Sequence, residues 1–212
     1  MLVTPMAVVA LGFAFMSASG MEGRPDGTDA KGGADKSLKT VKTWLKGLCK
    51  GEPQGLSKIE AVDAAVRRLF PDEQFYSVRF MRYPRAVKPP APLKLENLVG
   101  VHADGSVERI DSLDALKTLL EKKLADVRTE DQARSALLAS LRLAQEFYQD
   151  GNYTFTVPEQ SISVVSRDNH WIASGKSVVT KGGEGEITVS LTTGTPGQVT
   201  IKGKVKPDVR LR

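Results

Sequence analysis

The C-terminal part of this 212-residue chain holds four segments in which apolar residues, many of them Val and Ile, alternate with polar ones. The segments read SISVVS, HWIASGKSVVT, GEITVSLTT and QVTIKGKVK, and the links between them read RDN, KGGE and GTPG. Links this short, and this rich in Gly, Asn and Asp, form tight turns. Because a parallel crossover needs about a dozen residues or more, the four strands are predicted to form an antiparallel meander.

A long helix is predicted directly before this meander, over residues 129–150, so that residues 126–207 form a lobe of one helix and one sheet. Thr129 and Gln132 have the spacing of a capping box. The residues of its apolar stripe are Ala133, Leu137, Leu141, Ala144 and Tyr148. The inward face of the sheet is predicted to carry Ile187, Val189, Leu191, Val199, Ile201 and Val205.

A long helix followed by a four-stranded meander resembles, in element order, the cystatin-like and nuclear-transport-factor-like folds. The resemblance implies a helix packed on a curved antiparallel sheet. It does not extend to the inhibitory loop of cystatins, because the nearest stretch, QVTIKG, has a different spacing. The fold class predicted for the whole chain is α+β, with three core helices on antiparallel sheet and no strand–helix–strand alternation.

Residues 55–125 are predicted to form an α-β-β-β-α lobe, which either continues into the lobe at 126–207 or stands apart from it as a second domain. Its first helix has a capping box in Ser57 and Glu60 and ends before Pro71. The stretch QFYSVRFMR then alternates as a strand, and an Asp-Gly pair between two apolar runs predicts a hairpin. A further helix begins near residue 112.

The proline-rich stretch RYPRAVKPPAPLKL, residues 82–95, joins two of these strands. Pro89, Pro92 and Lys94 have the spacing of a polyproline ligand. Proline cannot donate a hydrogen bond to a strand ladder, and the domains that read such ligands are chiefly cytosolic. We therefore interpret this stretch as an exposed connector.

Residues 1–20 have the pattern of an export signal. Residues 6–16 are apolar, and small residues follow, with candidate cleavage positions after Ser19 and after Gly20. An uncleaved membrane anchor and a buried helix are the alternatives. The signal predicts a secreted protein, periplasmic or extracellular, with a membrane-associated form as the alternative.

Residues 21–54 are predicted to be a flexible spacer that contains a basic amphipathic helix at 37–50. Leu and Trp residues recur on one helical face, lysines occupy the other, and no acidic residue interrupts 36–50. The candidate surface-docking residues are Lys39, Lys42, Trp44 and Lys46. The helix either docks on a protein or membrane-surface partner or packs its apolar stripe on the main domain. Residues 208–212 are read as a basic tail.

Composition and motifs exclude several kinds of chemistry. Cys49 is the single cysteine, so no disulfide forms within the chain, and Cys49 is either buried or pairs between two chains. No spacing of His and Cys predicts a metal site, and no glycine-rich loop that opens a helix predicts a cofactor. Aromatic residues are 6% and the net charge is only +5, which argues against nucleic acid as a partner.

Two functions remain open from the sequence. The first is an exported, non-catalytic protein that binds a protein or a surface. The second is a small-ligand carrier or an enzyme with a pocket between helix 129–150 and the C-terminal sheet. Its candidate ligand-binding residues are His170, Trp171 and Tyr153. The sequence has no motif for a nucleophile, a metal or a cofactor, which favours the first function. No residue is therefore predicted to be catalytic.

Overall fold

A computed structural model describes residues 29–81, 88–150 and 152–208, with side chains from residue 36 onward. The predicted signal peptide, half of the predicted proline-rich connector and most of the basic tail lie outside these residues. The helices within the described part are α1 (Asp29–Cys49), α2 (Ala64–Leu69), α3 (Leu113–Leu124) and α4 (Glu130–Tyr148). The strands are β1 (Leu56–Ala61), β2 (Gln74–Phe80), β3 (Glu96–Val101), β4 (Val107–Ile110), β5 (Thr154–Thr156), β6 (Ser163–Arg167), β7 (His170–Lys181), β8 (Gly183–Thr192) and β9 (Gln198–Pro207).

The strands form two antiparallel sheets, so the predicted α+β class is confirmed. The first sheet has the order β1-β2-β3-β4. The second has the order β5-β7-β8-β9, and β6 pairs with the same strand, β7, as β5 does. Each strand of the predicted meander therefore pairs with its neighbour in sequence, and the short strand β5 is an addition that the sequence analysis did not predict.

The first sheet is covered on both faces. Along β2 the side chains alternate: Tyr76 and Val78 point to α1, whose Val41 and Leu45 have no exposed surface, while Phe75 points to the other helices. Helix α4 packs against α2 and β3 on one side and against β7 and β8 on the other. The layers are thus α1, the first sheet, the group α2–α3–α4, and the second sheet.

Helix α4 is the centre of the molecule and begins as predicted. The Thr129 hydroxyl accepts a hydrogen bond from the Gln132 amide, and the Gln132 side chain accepts one from the Thr129 amide in return. A single buried cluster joins α2, β2 and β3 to α3, α4 and the second sheet. Segments 55–125 and 126–207 therefore share one hydrophobic core within the described residues.

The helix predicted to begin at Ser57 is wrong in its first half. Residues Leu56–Ala61 form strand β1, which pairs with β2, and only Ala64–Leu69 are helical. Asp63 is the helix cap, since its carboxylate accepts a hydrogen bond from the Ala65 amide at 2.8 Å. Pairing with the edge of a buried strand stabilises this segment more than its local helix propensity does, which amounts to only tenths of a kcal/mol per residue, about 0.7 at most.

Helix α1 is longer than predicted. Residues 29–36, which the sequence analysis assigned to a flexible spacer, continue the helix toward its N-terminus. The segment contains two alanines, which have the highest helix propensity, and two glycines, which have a low one. The weak hydrophobicity of this segment predicted a spacer, but a helix can extend beyond the residues that pack on the rest of the protein.

Candidate functional site

The basic helix α1 places its lysines away from the protein. Val41 and Leu45 are fully buried against the first sheet, and the lysines at 36, 39, 42, 46 and 50 are exposed. The three-to-four spacing of the apolar residues, which lie on one face of a helix, causes this arrangement. The observed packing is the alternative in which α1 covers the main domain, and its lysine face is left to the solvent.

A groove lies between α1 and the hairpin of β3 and β4. Its volume is about 590 Å³. It is lined by Lys36, Lys39, Thr40, Thr43 and Trp44 of α1 and by Gly105 and Val107 of the hairpin. The structure thus brings two of the four predicted docking residues, Lys39 and Trp44, into one concave site. Lys42 lies outside the groove, and Lys46 lies outside it and pairs with Glu52.

Three lysines of α1, together with Lys50 directly after its last residue, are available for an external partner. Within the described residues, no ion pair involves Lys36, Lys39, Lys42 or Lys50. A run of five lysines without an intervening acid creates a positive field that raises the local concentration of anions. Half-buried Trp44 adds an apolar wall to the groove. The groove therefore suits a partner that is negatively charged and partly apolar.

Cys49 lies at the end of the same helix. It is half-buried and packs against the cluster between α1 and the first sheet. Burial raises the pKa of the Cys49 thiol, which lowers the fraction of reactive thiolate at neutral pH. Pairing through Cys49 between chains therefore stays a prediction, and the surroundings of the thiol disfavour it.

The three predicted ligand-binding residues lie at different places in the second sheet. His170 and Trp171 begin β7, whereas Tyr153 precedes Thr154, the partner of Lys181 at the other end of that strand. At about 3.3 Å per residue, the two ends of β7 are roughly 35 Å apart. The structure therefore brings His170 and Trp171 together but not Tyr153.

The side chains of two of these three residues, Trp171 and Tyr153, have structural partners. The Trp171 indole nitrogen donates a hydrogen bond to the Arg128 carbonyl oxygen at 3.0 Å. The Tyr153 ring is buried and makes an edge-to-face contact with the Phe155 ring, with centroids 5.8 Å apart. His170 is exposed at the turn between β6 and β7. Two of the three side chains thus contribute to packing.

The space between α4 and the second sheet is filled by side chains. Leu137 and Leu141 of α4 are fully buried, as are Ile187 and Val189 of β8. The two layers approach closely at Gly175, where an added Cβ atom would lie 3.2 Å from a methyl carbon of Leu137. This interface is a packed core, in which a ligand would have to displace buried side chains.

An ionic network that the sequence analysis missed lies where β2, β3 and α4 meet. The Arg79 guanidinium is 3.2 Å from a Glu96 carboxylate oxygen, 3.4 Å from a Glu146 oxygen and 3.4 Å from a Glu60 oxygen. Arg142 approaches the other oxygen of Glu146 at 2.7 Å. The Glu146 side chain is only 3% exposed, so this network ties the first sheet to the central helix.

The one sequence signal for this network is a charged residue at an inward position of a strand. Arg79 follows the alternation of β2 onto the face opposite Tyr76 and Val78, and that face packs against helices. Such a cation requires buried acidic partners. Which acids they are depends on how β3 and α4 pack, which the sequence pattern does not specify.

Comparison of the chain with protein-family models, with curated proteins and with solved structures gives no match. No helix in the described part of the chain is both long and apolar enough to cross a membrane. Among the same residues, no three His, Cys, Asp or Glu side chains are placed to hold a metal ion together. Surface geometry and charge are therefore the features from which a function can be inferred.

Proposed function

We propose that the protein is an exported, non-catalytic binding protein, and that the groove beside α1 docks an acidic segment of a partner protein. The observation that carries the proposal is the combination of four unpaired lysines, three on α1 and one directly after it, with a groove of about 590 Å³ walled by Trp44. Charge and concavity together favour an extended chain that carries carboxylates and some apolar side chains.

A protein partner is favoured over a lipid surface. An amphipathic helix binds a membrane by inserting its apolar face into the headgroup region. The apolar face of α1 is already occupied, because Val41 and Leu45 are fully buried against the first sheet. What α1 offers to the outside is charge and a groove, and both features suit a polypeptide.

The pocket-based alternative receives less support. Its interior site would lie where Leu137, Leu141, Ile187 and Val189 have no exposed surface. Its candidate residues also have structural contacts, as the hydrogen bond from Trp171 to Arg128 illustrates. The helix-and-meander order shared with cystatin-like and nuclear-transport-factor-like folds suggests no activity by itself.

Binding to poly-L-glutamate, measured by surface plasmon resonance on the full chain, tests the proposal. We expect salt-dependent binding that weakens about ten-fold in the variant Lys39→Glu/Lys42→Glu, at roughly 0.7 kcal/mol for each reversed charge. The matched control is Lys181→Glu/Lys202→Glu, which reverses two exposed lysines of the second sheet. The variant Thr43→Phe fills the groove without changing the charge and is expected to weaken binding too.

Three results would contradict the docking proposal. One is equal loss of binding in the α1 variant and in the control, because that pattern indicates non-specific charge attraction. Another is full binding by Thr43→Phe, which would show that the partner does not bind in the groove. The third is binding to vesicles of equal parts phosphatidylcholine and phosphatidylserine in the absence of any binding to polyglutamate.

The export part of the proposal rests on the sequence of residues 1–20 and has its own test. The full chain, expressed with a C-terminal tag, is expected to leave the cytoplasm. N-terminal sequencing of the recovered protein should then begin at Gly20 or Met21, directly after the candidate cleavage positions. An intact N-terminus on protein found only in the cytoplasm would refute export and leave the docking proposal untouched.

A further inference from the structure

A second concave site lies on the helical layer, away from α1. It is a cleft of about 490 Å³ between the end of α2, the end of α3 and the first turns of α4. Its lining includes Arg68, Leu69, Asp72, Lys123, Asp126, Val127, Asp131 and Ala136. None of its lining residues also lines the α1 groove. The volume is in the range of small-molecule sites, about 300–1,000 Å³.

The apolar part of the cleft is pre-formed. Val127 and Ala136 are 6% and 0% exposed and form its rigid base, whereas the accessible apolar surface comes from half-buried Leu69, which packs against the same core, and from exposed Pro71. Val127 lies in the link between α3 and α4, but its side chain is held by the core, and α2 and α4 pack directly on each other. A ligand that covers this surface gains hydrophobic contact with little ordering of the protein.

Some charged residues of the cleft form ion pairs within the protein and others do not. Lys123 is 2.9 Å from a Glu73 carboxylate oxygen and lies over the Phe70 ring, so its charge has a partner in the protein. Asp72, Asp126 and Asp131 are exposed, and none forms an ion pair with another described residue. Three unpaired carboxylates therefore line the same cleft as the apolar surface.

Arg68 contributes a positive charge to the cleft, opposite in sign to the three carboxylates. It is exposed and forms no ion pair within the described part of the chain. One guanidinium against three carboxylates leaves the cleft with a net charge of about −2, since the Lys123 charge is balanced by Glu73. The overall potential of the cleft is therefore negative.

The start of α4 does not offer a competing anion site. The Thr129 hydroxyl accepts the hydrogen bond of the Gln132 amide at 3.2 Å. The acidic residues Glu130 and Asp131 already occupy the first turn, where they complement the positive end of the helix dipole. An added anion would meet these carboxylates.

From these observations we propose that the cleft binds a small organic cation with an apolar body. The cationic group would lie among Asp72, Asp126 and Asp131, and the apolar body would cover Leu69 and Pro71. A ligand of this class uses both features of the cleft, its apolar wall and its excess of carboxylates. The site does not involve α1, so this proposal can be refuted without affecting the docking function, and the reverse is also true.

The experiment is an amide-resolved NMR titration of the full chain with three probes of one shape: benzamidine, neutral benzamide and anionic benzoate. A fragment of this size is expected to bind with a Kd on the order of 1 mM. Benzamidine should shift the amide signals of Val127, Gln132 and Ser135, all cleft residues. Benzamide should bind at least five-fold more weakly, and benzoate should not shift these signals.

Two variants locate the cation. Asp126→Asn and Asp131→Asn should each weaken benzamidine binding by up to about five-fold, the upper end for an exposed charge pair. The control Asp114→Asn removes a carboxylate that is 91% exposed on α3 and lines a different surface, and it should leave the affinity unchanged.

Any of four results overturns the inference. The first is the absence of cleft shifts with benzamidine at about ten times the expected Kd, where a single site would be nearly saturated. The second is equal binding of benzamide, which would make charge irrelevant. The third is preferential binding of benzoate, which would make Arg68 the dominant group. The fourth is loss of affinity in the Asp114 control equal to that in the cleft variants.

Discussion

The buried network around Arg79 gives the sharpest prediction about stability. We consider the substitution Arg79→Met, which keeps an unbranched side chain of similar length and removes the guanidinium. The carboxylates of Glu96 and Glu146, which are 10% and 3% exposed, then lose a cation within 3.4 Å. Glu60 also loses a partner, but at 39% exposure water replaces it.

The expected cost follows from the burial of each partner. Removing one member of a buried ion pair destabilises a protein by about 3–5 kcal/mol, because the remaining charge is uncompensated. Glu146 keeps Arg142 at 2.7 Å, so the cost lies at the lower end of that range. The exposed pair with Glu60 adds at most about 1 kcal/mol. We therefore expect Arg79→Met to lower the free energy of unfolding by about 3 kcal/mol.

Urea denaturation followed by circular dichroism measures this quantity. The matched control is Arg134→Met on α4, where the guanidinium is 44% exposed and 3.6 Å from the exposed carboxylate of Glu159. This control should change the free energy of unfolding by less than about 1 kcal/mol. Both substitutions remove one arginine, so the difference between them isolates the effect of burial.

A double-mutant cycle tests the cause. If part of the cost arises because Glu96 loses the Arg79 charge, Glu96→Gln should be less destabilising in the Arg79→Met background than in the wild type, by about 1–3 kcal/mol. A cost for Arg79→Met below about 1 kcal/mol, or full additivity with Glu96→Gln, would refute the view that the network is a buried and coupled one.

Three further outcomes are expected. Gly203→Ala should lower the free energy of unfolding by about 1–3 kcal/mol, because an added Cβ atom would lie 2.4 Å from the Tyr148 ring. Gly47→Ala, where nothing lies within 4 Å of the added atom, should instead raise the free energy of unfolding by about 0.5–1 kcal/mol. Urea titration measures both changes. Thr129→Ala should cost about 0.5–2 kcal/mol in the same assay through loss of the capping box, and an unchanged midpoint would contradict the role of the cap. Since burial raises the pKa of the Cys49 thiol, its reaction with a disulfide reagent at neutral pH should be slower in the native protein than in urea and should accelerate as the pH rises.

The elements that the sequence predicted correctly are those whose signals are local. Helix α4 has a capping box and an apolar stripe, and both depend on residues a few positions apart. The strands β6 to β9 alternate with period two and are linked by turns too short for any other connection. Local signals of this kind hold because tertiary packing agrees with them.

The elements that the sequence did not predict depend on distant partners. Strand β1 has a helix-like start signal, but it forms because the edge of β2 accepts it. Likewise, Arg79 and Glu146 are 67 positions apart and meet only because α4 packs on the first sheet. Neither fact has a short-range signature, so pattern analysis of one sequence cannot supply them.

The two proposed sites differ in the same way. The docking surface was predictable because five lysines and a tryptophan lie within residues 36–50, and helical spacing over this stretch fixes the face on which they lie. The cleft combines Arg68, Asp126 and Asp131 from three separate elements, and its charge excess arises because Glu73 engages Lys123. A site that depends on which charges are already neutralised inside the protein can be inferred only after the fold is known, and this is why sequence motifs indicated the first surface and not the second.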